Sequence, residues 1–263
     1  MKQTYKLEVG SYTKSVFSSG ELNVRVEDTE SYNCITGSPQ SSDDILELLC
    51  LVDALRRLGT TDLSLVMPYV MYSRDDRVCL PGQQLGASVF AKLINSCNFT
   101  SVTTYDNHSQ VITALLDNCT NVSKLEILNW YPLDTSVYDY FVAPDSGSIK
   151  QVQELSTAYQ VPMLRADKTR SLETGEITGT VVYTDDLKGA SCLIIDDICA
   201  NGRTFIELAK SLKKKNAGEI TLSVTHGFFG AKLQVLKDAG ISKFITTDSV
   251  CTLIDKDLSI IAI

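Results

Sequence analysis

Residues 193–205 read LIIDDICANGRTF. An apolar run ends in two adjacent carboxylates, Asp196 and Asp197. A short loop containing Gly202 follows, and then a helical pattern opens. The order predicts a buried strand, a tight loop and a helix N-terminus, with the acids delivered at the strand's carboxyl end. Backbone N–H groups in such a loop, helped by the positive end of the helix dipole, make a seat for phosphate. The two acids can hold ribose hydroxyls or a metal-bound sugar phosphate. Adjacent acids before a helix also have a plain N-cap reading. That reading is weaker here, because the acids follow a buried-type strand and precede a phosphate loop. The segment therefore points to phosphorylated-ribose chemistry.

The same alternation of strand and helix runs along the rest of the chain. Residues 44–58 carry an apolar stripe of Ile45, Leu48, Leu49, Val52 and Leu55 at helical spacing, with Ser41 and Ser42 as capping candidates and Gly59 as the stop. Strands are expected at 63–67, 102–105 and 124–128, with helices at 85–94 and 111–116. The pattern then restarts, with strands at 140–143, 161–164, 177–183, 191–195, 220–224 and 244–246. Helices are expected at 148–159, 204–215 and 231–239. Strands alternating with helices imply α/β architecture, with parallel sheets covered on both faces and ligands at the strands' carboxyl ends. Two rounds of the pattern in 263 residues suggest two similar domains, 1–130 and 131–263.

Composition narrows the partners. A net charge of −8 argues against nucleic acid and anionic membranes. It leaves phosphate ligands open, because Mg²⁺ and a few local cations can invert the field at one site. No apolar stretch is long enough to span a bilayer, and the opening MKQTYKLEVG lacks the apolar core of a secretory signal. Eight cysteines without a C-x-x-C pair, beside only two histidines, predict neither a disulfide framework nor a zinc site. They read as reduced thiols of a cytoplasmic protein. Cys199 alone lies inside the phosphate-loop candidate, which gives it a case for reactivity.

Several separated segments, in order, carry a family resemblance. These are Phe17-Ser-Ser-Gly-Glu21, Asp44-Ile-Leu-Glu-Leu-Leu, the run Pro68-Tyr-Val-Met-Tyr-Ser-Arg-Asp-Asp-Arg77, Tyr105-Asp-Asn-His-Ser-Gln110, Val142-Ala-Pro-Asp-Ser-Gly147, Ala166-Asp-Lys-Thr-Arg170, Ile195-Asp-Asp-Ile198 and Thr225-His-Gly227. Together they resemble the ribose-phosphate diphosphokinases over nearly the whole chain. The resemblance implies two phosphoribosyltransferase type I-like domains, each a largely parallel sheet flanked by helices, assembled into dimers and hexamers. Departures are visible. Ser19 replaces an acidic residue of the family pattern, Asp75 a glutamine, and Arg203 a glycine of the ribose-phosphate loop. The chain also stops at Ile263, where the family usually adds a final helix.

The implied reaction is attack of a ribose anomeric hydroxyl on the β-phosphorus of ATP, releasing AMP. Lys168 and Arg170 are then the catalytic candidates, clamping the moving diphosphate as charge builds. Phe17, Glu21, Arg74, Asp75 and His108 would contact ATP, with hairpin core as the alternative for Phe17. His108 and Asp145 would hold Mg²⁺, directly or through water, the aspartate being the better donor for so hard a cation. Asp196 and Asp197 would hold the ribose hydroxyls. Asn201, Gly202, Arg203 and Thr204 would bind the sugar's 5-phosphate. His226 reads as structural. Two acceptors stand open, ribose 5-phosphate and ADP-ribose; the latter is motivated by Arg203, whose guanidinium could grip a bridging pyrophosphate. A non-catalytic homologue should lack the cations or metal residues, and Lys168, Arg170, His108 and Asp145 are all present.

Overall fold

The computed structural model describes residues 11–27, 33–131, 133–170, 177–230 and 232–263. The chain forms two compact units that divide between Ser123 and Lys124. In the first, β1 (Tyr12–Val16) and β2 (Leu22–Val26) form an antiparallel hairpin. Next come β3 (Cys34–Thr36), α1 (Ser42–Arg57), β4 (Ser64–Met67), α2 (Gly86–Asn95), β5 (Ser101–Tyr105), α3 (Gln110–Leu115) and β6 (Cys119–Val122). The strands β3-β4-β5-β6 pair in that order and all in parallel.

Helix α1 shows why these boundaries fall where they do. Ser41 caps it by accepting from the Asp44 amide, and the Asp44 carboxylate accepts in return from the Gln40 amide. Such a cap stabilises by about 1 kcal/mol. At the other end Gly59 adopts φ +96°, its amide donating to Arg56 and that of Thr60 to Leu55, which is a Schellman closure. The buried face carries Ile45, Leu48, Leu51, Val52 and Leu55, joined by Glu47. Glu47 is buried because Tyr12 donates to one carboxylate oxygen at 2.7 Å and Lys14 to the other at 2.9 Å. The hairpin is thereby tied to the helix.

The second unit contains α4 (Lys124–Trp130), a 3-10 turn (Thr135–Val137), β7 (Tyr140–Ala143), α5 (Ile149–Tyr159), β8 (Met163–Arg170), β9 (Ile177–Val182) and β10 (Cys192–Cys199). It continues with α6 (Arg203–Lys214), β11 (Ile220–Gly227), α7 (Lys232–Asp238), β12 (Lys243–Thr247) and β13 (Leu258–Ile261). The sheet order among the described residues is β13-β12-β11-β10-β7-β8-β9, parallel except for the β8–β9 ribbon. Successive residues of the central strands feed two different cores, as the period of two requires. Val142, Ile194, Leu222 and Val224 pack with Phe205, Leu208 and Leu212 of α6 and Leu236 of α7. Phe141, Ala143, Leu193 and Ile195 pack with Leu128 of α4 and Val152 and Leu155 of α5. The sheet is thus covered on both faces.

Three expectations need correction. Residues 124–128 form the start of helix α4, and the strand lies one step earlier, at β6. Leu125 and Ile127 imitate a period of two, but Lys124, Ile127 and Leu128 make a buried helical face, while the strand sequence Cys-Thr-Asn-Val gives little apolar signal. The division at Ser123/Lys124 accordingly puts α4 with the second unit, ahead of the 130/131 boundary read from the pattern. Strand β10 does not stop at Ile195. Ile198 and Cys199 go on pairing with His226 and Gly227 of β11, so Asp196 and Asp197 sit within its last half. Finally, the strand expected at 161–164 runs on to Arg170 as β8, its last part antiparallel to β9; Lys168 lies opposite Thr180 and Arg170 opposite Ile177, with an irregularity between Thr169 and Arg170. The side chains of Lys168 and Arg170 lie outside the described residues.

Candidate functional site

In the second unit Asp145, Asp196 and Asp197 lie toward the carboxyl ends of β7 and β10, with Asn201, Gly202, Arg203 and Thr204 just beyond β10. These two strands are parallel neighbours, with Val142 opposite Ile194. The register puts Asp145, just past β7, beside the Asp196–Asp197 pair of β10. Each of the three is half-buried. Burial first, and then the charges of Asp197 and Asp145, hold the Asp196 carboxyl well above the ordinary carboxylate range. The Asp196 side chain also accepts from the Asp197 amide at 3.1 Å. Asp145 closes its own turn, accepting from the Gly147 amide at 3.0 Å through its side chain and from the Ser148 hydroxyl at 2.9 Å through its carbonyl.

Beyond β10 the chain turns sharply into α6. Gly202 takes φ +76°, and a Cβ there would stand 3.1 Å from the Leu236 side chain. Its left-handed backbone and lack of a side chain are both needed. It is also the N-cap of α6 and, as a glycine, brings no side chain to cap that helix. The first-turn amides, those of Arg203, Thr204 and Phe205, are therefore the orphan donors every helix start exposes, in a helix long enough to add its dipole. Asn201 and Arg203 are exposed and Thr204 half-buried at this end. The loop after β11 braces the turn, with the Gly230 amide donating to the Ala200 carbonyl and the amides of Phe228 and Phe229 to that of Cys199.

His226 lies in β11, 2% exposed, with Nδ1 2.9 Å from the Ser249 hydroxyl. The structural reading of that histidine is the one its environment supports. Gly227 beside it has no room for a side chain, since a Cβ would fall 2.3 Å from the Phe229 ring. Cys199 is fully buried, and burial followed by the charge of Asp196 pushes its thiol up to about 12. It is a poor nucleophile, contrary to the case made from its position in the sequence. In the native protein a thiol reagent is expected to label the exposed Cys34 and Cys79 first and to leave Cys97, Cys192, Cys199 and Cys251 unmodified until the chain is denatured. Mass spectrometry of the labelled peptides reads this directly, and early modification of Cys199 would contradict it.

In the first unit, Phe17 and Glu21 flank the hairpin turn, which closes through Phe17–Glu21 and Gly20–Phe17 backbone hydrogen bonds. Phe17 is 57% exposed, so it is not hairpin core. Ser19 donates to the Glu21 carboxylate. Arg74 is exposed on the segment after β4. Asp75 is engaged with α2, accepting from the Gly86 amide and from Gln84, both at 3.1 Å. A Cβ at Gly86 would collide with that carboxylate at 2.3 Å. His108 is exposed between β5 and α3.

The proposed Mg²⁺ pair is split, with His108 in the first unit and Asp145 in the second. Among the described residues no three His, Cys, Asp or Glu side chains are grouped to cage a cation. Asp145 still offers a carboxylate oxygen, the donor type Mg²⁺ prefers, and that ion is usually bound by one or two carboxylates together with substrate phosphates. Among the described residues no helix is long and apolar enough to cross a membrane.

Comparison with known proteins bears on the whole chain. Residues 1–97 match the family described as the N-terminal domain of ribose phosphate pyrophosphokinase, and residues 105–250 match the phosphoribosyl transferase domain. A ribose-phosphate pyrophosphokinase of Ureaplasma parvum is 30% identical over 265 residues, covering 93% of this chain and 78% of that protein. A putative ribose-phosphate pyrophosphokinase 2 of Streptococcus pyogenes is 30% identical, covering 94% and 77%. The crystal structure of a phosphoribosylpyrophosphate synthetase from Mycobacterium smegmatis superposes with a TM-score of 0.83 over 96% of this chain and 86% of that one; at 21% identity it speaks to the fold.

Proposed function

The chain belongs to the ribose-phosphate pyrophosphokinase family, a family of diphosphotransferases, and we propose that it transfers the β,γ-diphosphate of ATP to the anomeric hydroxyl of ribose 5-phosphate. The products are 5-phosphoribosyl 1-diphosphate and AMP. The observation that carries this reading is the spacing at the end of β10. Two carboxylates and an uncapped helix start are separated only by residues 198–202, the last of them the cap glycine. That is a seat for a sugar with hydroxyls at one end and a phosphate at the other.

The residues divide the work by chemistry. Asp196 and Asp197 accept from the ribose hydroxyls and fix the ring. The amides of the α6 start, the Thr204 hydroxyl and the Arg203 guanidinium hold the 5-phosphate. The anomeric oxygen forms a bond to the β-phosphorus as the bond from that phosphorus to the α–β bridging oxygen breaks, and AMP leaves. Such a transfer asks for in-line positioning and charge stabilisation rather than covalent help. Lys168 and Arg170 supply the moving charge complement. Phe17, Glu21, Arg74, Asp75 and His108 receive the nucleotide. Asp145 in the second unit and His108 in the first are the residues that would hold Mg²⁺, directly or through water, and the ion would supply neutralisation of phosphate charge. The free thiols of the chain suit a reducing compartment such as the cytoplasm.

The test is AMP release from Mg-ATP with each acceptor in turn. Release with ribose 5-phosphate is expected, with the sugar diphosphate appearing in equal amount. Release with ADP-ribose and none with ribose 5-phosphate would overturn the acceptor and reassign Arg203 to a bridging pyrophosphate.

A further inference from the structure

Lys124 is the first residue of α4, on the face that packs against the sheet, and it is 3% exposed. A lysine there is a costly choice. Burial disfavours the ammonium, and a helix face meeting a sheet ordinarily carries aliphatic residues. What offsets the cost is visible. Nζ donates to the Thr225 hydroxyl at 3.0 Å and to the main-chain carbonyl of Asp196 at 3.4 Å. Thr225 is fully buried on β11, and Asp196 is on β10. The ammonium thus grips two neighbouring strands at the level where β10 presents its carboxylates.

Thr225 is itself held. The Thr225 carbonyl accepts from the Thr247 hydroxyl at 2.7 Å and from Ser249 at 3.3 Å, and Ser249 contacts His226. A polar girder therefore runs from the end of β12 through β11 to α4. Its last strut is the peptide of Asp196, the residue whose side chain the sugar reading places on a ribose hydroxyl.

We propose that Lys124 is a positioning residue for the acceptor subsite, fixing the peptide of Asp196 so that the Asp196–Asp197 pair faces the sugar in a set orientation. The inference rests on the functional reading above, since it assumes that the acid pair receives the acceptor. It predicts selectivity. Loosening the strut should disturb the sugar and spare the nucleotide, because the girder's members all belong to the second unit and the nucleotide residues, His108 included, to the first.

The experiment uses the full chain with Lys124→Met, which keeps the stem and removes the ammonium, with Thr225→Val, and with the double variant. Steady-state kinetics, thermal melting and calorimetric binding of ribose 5-phosphate are read for each. Each single change is expected to raise the acceptor KM about 10-fold while the ATP KM moves less than about 2-fold. The double variant should be no worse than the weaker single, as expected for two ends of one strut. A lower melting temperature with an unchanged acceptor KM would overturn the proposal, as would equal rises in both KM values or additive losses. Should Lys124→Met fail to fold, Thr225→Val decides alone by the same split. If the wild-type chain binds ribose 5-phosphate yet releases no AMP with it, the functional reading fails, and the ratio of calorimetric affinities still judges the lysine.

Discussion

Lys168→Ala is expected to lower turnover at least ~100-fold, a loss on the order of 3 kcal/mol of transition-state stabilisation. The transferred diphosphate carries most of its charge on oxygens that neither the sugar nor the adenine touches. A cation that meets those oxygens only as the β-phosphorus changes partners acts on kcat; one that holds ATP before the transfer acts on KM. Lys168 sits on β8 in a ribbon with β9, opposite Thr180. The ribbon is fastened near its base, where the Tyr183 hydroxyl donates to Asp167 at 3.0 Å and Ser211 of α6 donates to the Thr180 carbonyl at 2.9 Å. A fall in kcat with the ATP KM little changed would support the clamp. Near-normal turnover with intact melting would remove Lys168 from that role and leave Arg170, two positions along the strand, as the cation to test.

The parts of the fold that sequence reading reached are those where local rules and tertiary packing agree. Helix α1 announces itself by its stripe, its cap candidates Ser41 and Ser42 and its stop Gly59; Ser41 makes the capping bond, Gly59 closes the end, and all of the stripe but Leu49 is buried. The turn from β10 into α6 was legible because an acid pair closing an apolar run, with a glycine just ahead of a helical pattern, fits a strand's carboxyl end and little else. What escaped lacked a local signal. Strand β6 is polar, and β3 has three residues with a single buried one. The extension of β10 to Cys199 depends on its partner β11, which no window along the chain contains. Lys124 was invisible for the same reason, because a lysine near the end of an amphipathic pattern reads as solvated unless Thr225, a hundred residues away in sequence, is known to meet it. Asp75 keeps its proposed place among the nucleotide residues, and its carboxylate also accepts from the Gly86 amide at the start of α2, a bond that no local signal announces.

Asp196→Asn is expected to do two opposite things, weakening acceptor use and stabilising the free protein. The carboxylate is the stronger acceptor for a sugar hydroxyl, and hydrogen bonds to charged groups contribute about 1.5–3 kcal/mol, so kcat/KM for ribose 5-phosphate should fall roughly 10- to 100-fold. The free protein bears a cost for keeping that acid where it is. Burial, Asp197 and Asp145 all favour its protonated form. The folded state therefore binds the proton more tightly than the unfolded chain, whose Asp titrates near ~3.9. The associated stability is complete below that value and drains away as pH rises through the higher folded-state value. Ionising Asp196 sets its charge against those of Asp197 and Asp145. Asparagine keeps the shape and removes the charge, so the variant should melt higher at pH 7 by about 2–4 °C, the shift that ~1 kcal/mol produces in a protein of this size. The gain should vanish toward pH 4, where the native acid carries its proton as well. Melting curves across pH 4–8 without ligand, set beside the kinetics, check both halves together. A variant that loses acceptor use but gains no stability at neutral pH would mean the three acids relieve one another in some other way, and that Asp196 is held in place for the sugar without strain.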